Sequence, residues 1–300
     1  MTSAPVASPL DELTGAVMAA HARNTQGALA RLVTEAPPLL PHAPGSELEA
    51  FLRAAEHIAL GHADDSGTLQ DLLAALSAQQ ARHPALAQAL QRAQAALALA
   101  DDLHTELLAG LPAAERVRAH YNAALARTRR RDFAAALQLV DAATAHAAAG
   151  DEPAQRALAA LTNNLAADLH EYLRPGDTAA ATLMLEAAHR AHGHWARGGG
   201  WLEVERADWQ LAMCAAAAGD GPRALGHARA GLAACGANNA DDYEFCFAWQ
   251  ALAVAALAAG EHELAREARN AMAQRLTLLT DEGDRAYGTE CLAKIDHQLA

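Results

Sequence analysis

One turn recurs four times in this chain, and its recurrence constrains the fold more than any other feature. The segments are Arg131-Asp132-Phe133-Ala134-Ala135-Ala136, Gly176-Asp177-Thr178-Ala179-Ala180-Ala181, Gly219-Asp220-Gly221-Pro222-Arg223-Ala224 and Gly260-Glu261-His262-Glu263-Leu264-Ala265. Each opens on Gly or Arg, continues with an acid suited to a helix N-terminus, and ends on an alanine of the kind that packs against a neighbouring helix. The closing alanines stand 45, 43 and 41 residues apart. Apolar residues at helical spacing precede and follow every turn, so each unit reads as a helical hairpin. A lone alanine-rich hairpin cannot bury enough apolar area to offset the ordering of its backbone, whereas stacked hairpins share their interfaces.

Composition points the same way. Alanine exceeds a quarter of the chain and aromatic residues make up only 4%, so the core must come from helices approaching closely through small side chains. No stretch alternates apolar and polar residues over a strand length between turns. The expected class is all-α.

The hairpins resemble the tetratricopeptide repeat, which carries Trp and then Leu-Gly on its first helix and small residues early in the second. Trp249, Leu252 and Ala253 followed by Ala265 fit that pattern with Ala in place of Gly. Leu211-Ala212 with Ala224 and Gly231, and Ala123-Ala124 with Ala136 and Ala143, fit less fully; Ala181 and Ala188 fit if the turn around Arg174-Pro175-Gly176 is lengthened. The likeness covers about residues 115–280. Its spacing exceeds the family's repeat of about 34 residues, and the closing Pro is missing. The resemblance implies a right-handed α-solenoid over residues 113–284, with residues 285–300 as a capping helix.

Ahead of the array, residues 1–9 read as a disordered tail and 10–112 as a helical region. Helices are expected at Leu10–Ala22, Ser46–Gly61, Thr68–Arg82 and Pro84–Leu108. The proline-rich stretch from Ala36 to Gly45 interrupts them, because each Pro removes a backbone donor and restricts the residue before it.

A net charge of −13 repels phosphate backbones and argues against nucleic-acid binding. The sequence from Met1 to Leu10 lacks the pattern of a signal peptide, and no uncharged apolar run of membrane-spanning length occurs. A cytoplasmic protein without membrane association is expected. Cys214, Cys235, Cys246 and Cys291 are widely spaced and read as small core residues.

From the resemblance, a binding groove lined by first helices would include Arg118, Tyr121, Asn164, Asp168, Arg206, Trp209 and Gln250. It would take a peptide, a helix or a partner domain. The arginines at 116, 118, 127, 129, 130 and 131 offer either a contact for an acidic peptide or a solvated face. His189, His192 and His194, with Glu186 a turn earlier, raise the question of a metal, but only two of the three imidazoles share a helical face. Asp101-Asp102 and Asp241-Asp242 are adjacent carboxylates that point apart on a helix. No catalytic or cofactor-binding signature is present, so the expected function is a binding scaffold without cofactor rather than an enzyme. A ligand-responsive regulatory domain is the alternative.

Overall fold

The computed structural model describes residues 8–147 and 151–300, whose regular structure is all helical, with no strand among them. The expected tail at residues 1–9 falls largely outside the described residues; Ser8 already caps the first helix, accepting from the Asp11 amide. The chain divides into two compact units, Met1–Ala157 and Leu158–Ala300.

The first unit contains α1 (Pro9–Ala20), α2 (Thr25–Glu35), α3 (Gly45–Ala55), α4 (Ser66–Ser77), α5 (Leu86–Asp102), α6 (Ala113–Arg129) and α7 (Phe133–His146). Helix α2, not expected from the sequence, is capped by the Asn24 side chain and buries Ala28, Leu29 and Leu32. The helix expected over Ser46–Gly61 divides into α3 and a seven-residue π-helix, Glu56–His62. That expected over Pro84–Leu108 stops at Asp102, where Leu103 turns left-handed with φ 61°.

A buried ion network holds the π-helix to its neighbours. The Arg92 guanidinium, 2% exposed, donates to Glu56 and to Glu115, each at 2.8 Å, and the Asn122 amide donates to the other Glu56 oxygen at 2.7 Å. Taking charges out of water is costly unless each is paired, and here one cation serves two carboxylates.

The second unit holds most of α8 (Glu152–Tyr172) and then α9 (Thr178–Gly198), α10 (Trp201–Ala217), α11 (Gly221–Asn238), α12 (Asp242–Ala258), α13 (His262–Leu276) and α14 (Glu282–Leu299). Its core is built from alanines of α10, α11, α12 and α13 with Leu225, Phe247, Leu252, Met272, Cys291 and Ile295. Small residues allow a close approach. A Cβ on Gly221 would stand 2.6 Å from the Ala258 carbonyl oxygen.

The four recurrent turns share a backbone conformation. Arg131, Gly176, Gly219 and Gly260 are all left-handed, with φ of 60°, 79°, 81° and 75°. The acid after each is the N-cap of α7, α9, α11 or α13; Asp132, Asp177 and Asp220 accept from the backbone with their side chains, whereas Glu261 does not. In three turns the amide of the acid reaches the carbonyl five residues back: Asp132 to Arg127, Asp220 to Ala215 and Glu261 to Ala256. This is the Schellman closure of a helix C-terminus. The turn at Gly176 differs, with Asp177 bonded to Arg174 and a longer connection from Tyr172 to Thr178. Ala136, Ala224 and Ala265 are each 0% exposed, but in α9 the fully buried position is Ala180 rather than Ala181.

Candidate functional site

Within the second unit, α8, α10, α12 and α14 enclose a cleft of about 880 Å³. Its apolar wall includes Trp209, Met213, Val254, Leu257 and Tyr287; His170, Gln250, His262 and Gln298 supply polar groups, and Lys294 and Glu171 a charge of each sign. Trp209 and Gln250 are the two groove residues expected from sequence that line it. The Trp209 indole N–H donates to the Gln250 side-chain oxygen at 3.3 Å, which fixes the ring on the cleft wall while satisfying a buried amide. Lys294, the only lysine of the chain, contributes a cation.

The other expected groove residues lie elsewhere. Arg206 is ion-paired with Glu244, and Asn164 and Asp168 lie on α8 outside the cleft lining. In the first unit Arg118 pairs with Glu115 at 2.6 Å. Tyr121 is 7% exposed and stacks on His57 with ring centroids 6.1 Å apart, so it is a packing residue and not part of an open groove. The arginine cluster is likewise engaged inside the first unit: Arg116 with the Leu111 carbonyl, Arg127 with Asp132, Arg129 with His62, Arg130 with Asp64 and Asp101, and Arg131 over the Phe133 ring. Carboxylates meet Arg127 and Arg130, whereas Arg116, Arg129 and Arg131 meet a carbonyl, an imidazole and a ring.

Two clusters of histidines emerge that sequence spacing alone does not reveal. In the first unit His21, just past α1, meets His57 and His62 from the π-helix. Residues five apart stand about 140° apart around an α-helix. The i→i+5 pattern, seen in the 2.9 Å bond from the Ala63 amide to the Ile58 carbonyl, instead brings His57 and His62 onto one side, Nε2 to Nε2 at 3.1 Å. Burial, followed by the neighbouring imidazoles and Arg129, holds His57 at about 4 and His62 at about 3, so both are neutral at pH 7. Arg129 donates to His62 Nδ1 at 3.0 Å, which leaves the His62 proton on Nε2, pointing at His57. His57 and His62 are thus a hydrogen-bonded pair of neutral rings, with the His21 ring edge-on to both.

In the second unit the three histidines that lie close in sequence part company. His189 is exposed, and His194 is buried beside Arg197. His192 of α9 turns to Asp208 of α10, its Nε2 3.1 Å from Oδ1, and His227 of α11 brings its Nδ1 to the same oxygen at 2.8 Å. Burial alone would raise the Asp208 carboxyl, but the two imidazole bonds outweigh it and hold the group below the usual carboxylate range. The bond to Asp208 raises His192 in turn, with burial opposing.

No protein-family model, curated protein or solved structure matches the chain. Among the described residues, no helix is long and apolar enough to cross a membrane.

Proposed function

We propose that the second unit is a tetratricopeptide-like interaction module that holds an apolar segment of a protein partner in the cleft of α8, α10, α12 and α14. The observation that carries this reading is the cleft wall itself: Trp209, Met213, Val254, Leu257 and Tyr287 line one depression. Trp and Tyr are the residue types that dominate interface energetics, and Tyr287 is 49% exposed beside them. Lys294 of α14 and Glu171 of α8 put a charge of each sign beside that wall, which suits a segment with polar groups flanking its apolar side chains. The shared turn geometry of α10–α11 and α12–α13 supports the repeat assignment and, with it, an arrayed solenoid.

The reading is tested by capture of partners from the native host with the full chain, followed by measured affinity of the captured partner for wild type and for Tyr287→Ala/Lys294→Glu. Both positions are exposed, so the double variant is expected to keep its helicity and melting temperature while losing at least tenfold in affinity. Unchanged affinity in the folded variant rejects the cleft as the binding surface. The cleft volume also falls within the range of small-ligand pockets. A partner-free protein that purifies with a small molecule, released by the same double variant, would favour the ligand-responsive alternative.

A further inference from the structure

We propose that His192, Asp208 and His227 form a binding site for a first-row divalent cation of the zinc class, clamping α9, α10 and α11 together. The three donors come from three successive helices and converge so that one nitrogen of each ring and a carboxylate oxygen all lie within 4.8 Å of one another. In a tetrahedral zinc site with bonds of about 2.0–2.2 Å, ligand atoms stand about 3.3–3.5 Å apart. Two edges of that tetrahedron stand at 3.1 Å and 2.8 Å, shorter than this spacing. Ion binding requires the side chains to open these two edges to ligating distance. Two imidazoles and a carboxylate are a donor set for zinc, cobalt or ferrous ions rather than for calcium or magnesium, which prefer oxygen.

Access and charge both suit a cation. The Asp208 side chain is 8% exposed, whereas those of His192 and His227 are 26% and 21% exposed, leaving a solvent side for the ion to enter and for water as fourth ligand. The protons that the two rings now donate to Asp208 move to the opposite ring nitrogens or to solvent as the ion binds. The carboxylate then offsets half of a divalent charge. The cluster of His21, His57 and His62 lacks the advantage of charge: it has no carboxylate among its donors, and Arg129 places a guanidinium against His62 and commits the Nε2 proton to His57. The contrast selects the second-unit site. It stands apart from the partner cleft, since none of its three residues lines that cleft.

The test is a Co²⁺ titration of EDTA-stripped full-length protein followed by visible absorption, with Zn²⁺ as competitor, on wild type, His227→Gln, Asp208→Asn and His57→Gln. Expected are one equivalent of Co²⁺ with the intense bands of a four-coordinate ion, displacement by Zn²⁺, unchanged binding in His57→Gln, and affinity at least about 100-fold weaker in the other two variants. Should those two fail to fold, X-ray absorption of the Zn²⁺-loaded wild type decides, because two imidazoles with oxygen ligands support the site. Absence of stoichiometric binding, a three-imidazole shell, or binding lost in His57→Gln and kept in His227→Gln overturns it.

Discussion

Glu205 shows how far a single residue can depart from its ordinary chemistry in a core made of alanine. It is 2% exposed on α10, with Glu244 of α12 as its neighbour, and Arg206 is committed to Glu244. Burial first, and then the Glu244 charge, raise the Glu205 carboxyl from 4.5 to about 8. An acid whose folded pKa is raised binds more protons folded than unfolded, so its contribution is present at low pH and is lost as pH climbs from the unfolded value through the folded one. Gln mimics the protonated acid without that dependence. Glu205→Gln is therefore expected to be more stable than wild type at pH 8, with the difference shrinking toward pH 5. Urea midpoints at the two pH values check this; a variant less stable at pH 8 than wild type would show that the carboxylate is ionised and paired.

At the scale of elements, turns and helices separate what is legible in the sequence from what is not. The turns at Gly219 and Gly260 are readable because glycine followed by an acid states both the left-handed residue and the cap. Arg131 can be placed only by analogy with them, since an arginine gives no sign of a positive φ. Leu103 ends α5 in the same region of backbone space, again with no glycine to announce it. The π-helix is beyond reach because no local residue announces it, and its first residue, Glu56, is fixed by Arg92, a contact across 36 residues. Trp209 and Gln250 do line one cleft together, but the pairing of His192 with Asp208 and His227 requires the packing of three helices. Tyr121 stays open between groove and packing in the sequence, because an aromatic on a first helix looks the same whether it faces a groove or a histidine ring. Two glycines put the turns and helices to a measurement. A Cβ on Gly260 or Gly226 would meet nothing within 4 Å, so substitution there tests backbone alone. Gly260→Ala forces a left-handed alanine and should cost about 1 kcal/mol, whereas Gly226→Ala, within α11, should gain ~0.5–1 kcal/mol. Melting temperatures moving in opposite directions are the expected result; a fall with both would mean that α11 is not helical at Gly226.

On the scale of the whole molecule, the titrating groups are divided unevenly between the two units. In the first unit burial leads the depression of His57 to about 4, His62 to about 3 and His120 to about 4. A histidine with a lowered folded pKa binds more protons unfolded than folded, so stability falls as pH drops from 6.5 toward the folded value and levels below it. The three act together on one unit. In the second unit His194 at about 4, His170, which burial lowers, and Asp208, held low by its imidazole bonds, pull the same way, but Glu205 and His192 favour the folded state as pH falls. The first unit should therefore unfold at higher pH than the second. The chain carries its own reporters for this, because Trp195, Trp201, Trp209 and Trp249 all belong to the second unit. In an acid titration from pH 7 to pH 2, far-UV circular dichroism should lose part of its helical signal before tryptophan fluorescence changes, and His120→Leu should move that first loss to lower pH. Coincident transitions would mean either that the two units unfold as one or that the buried histidines of the first unit are protonated without opening it; a shift of both transitions in His120→Leu identifies the former.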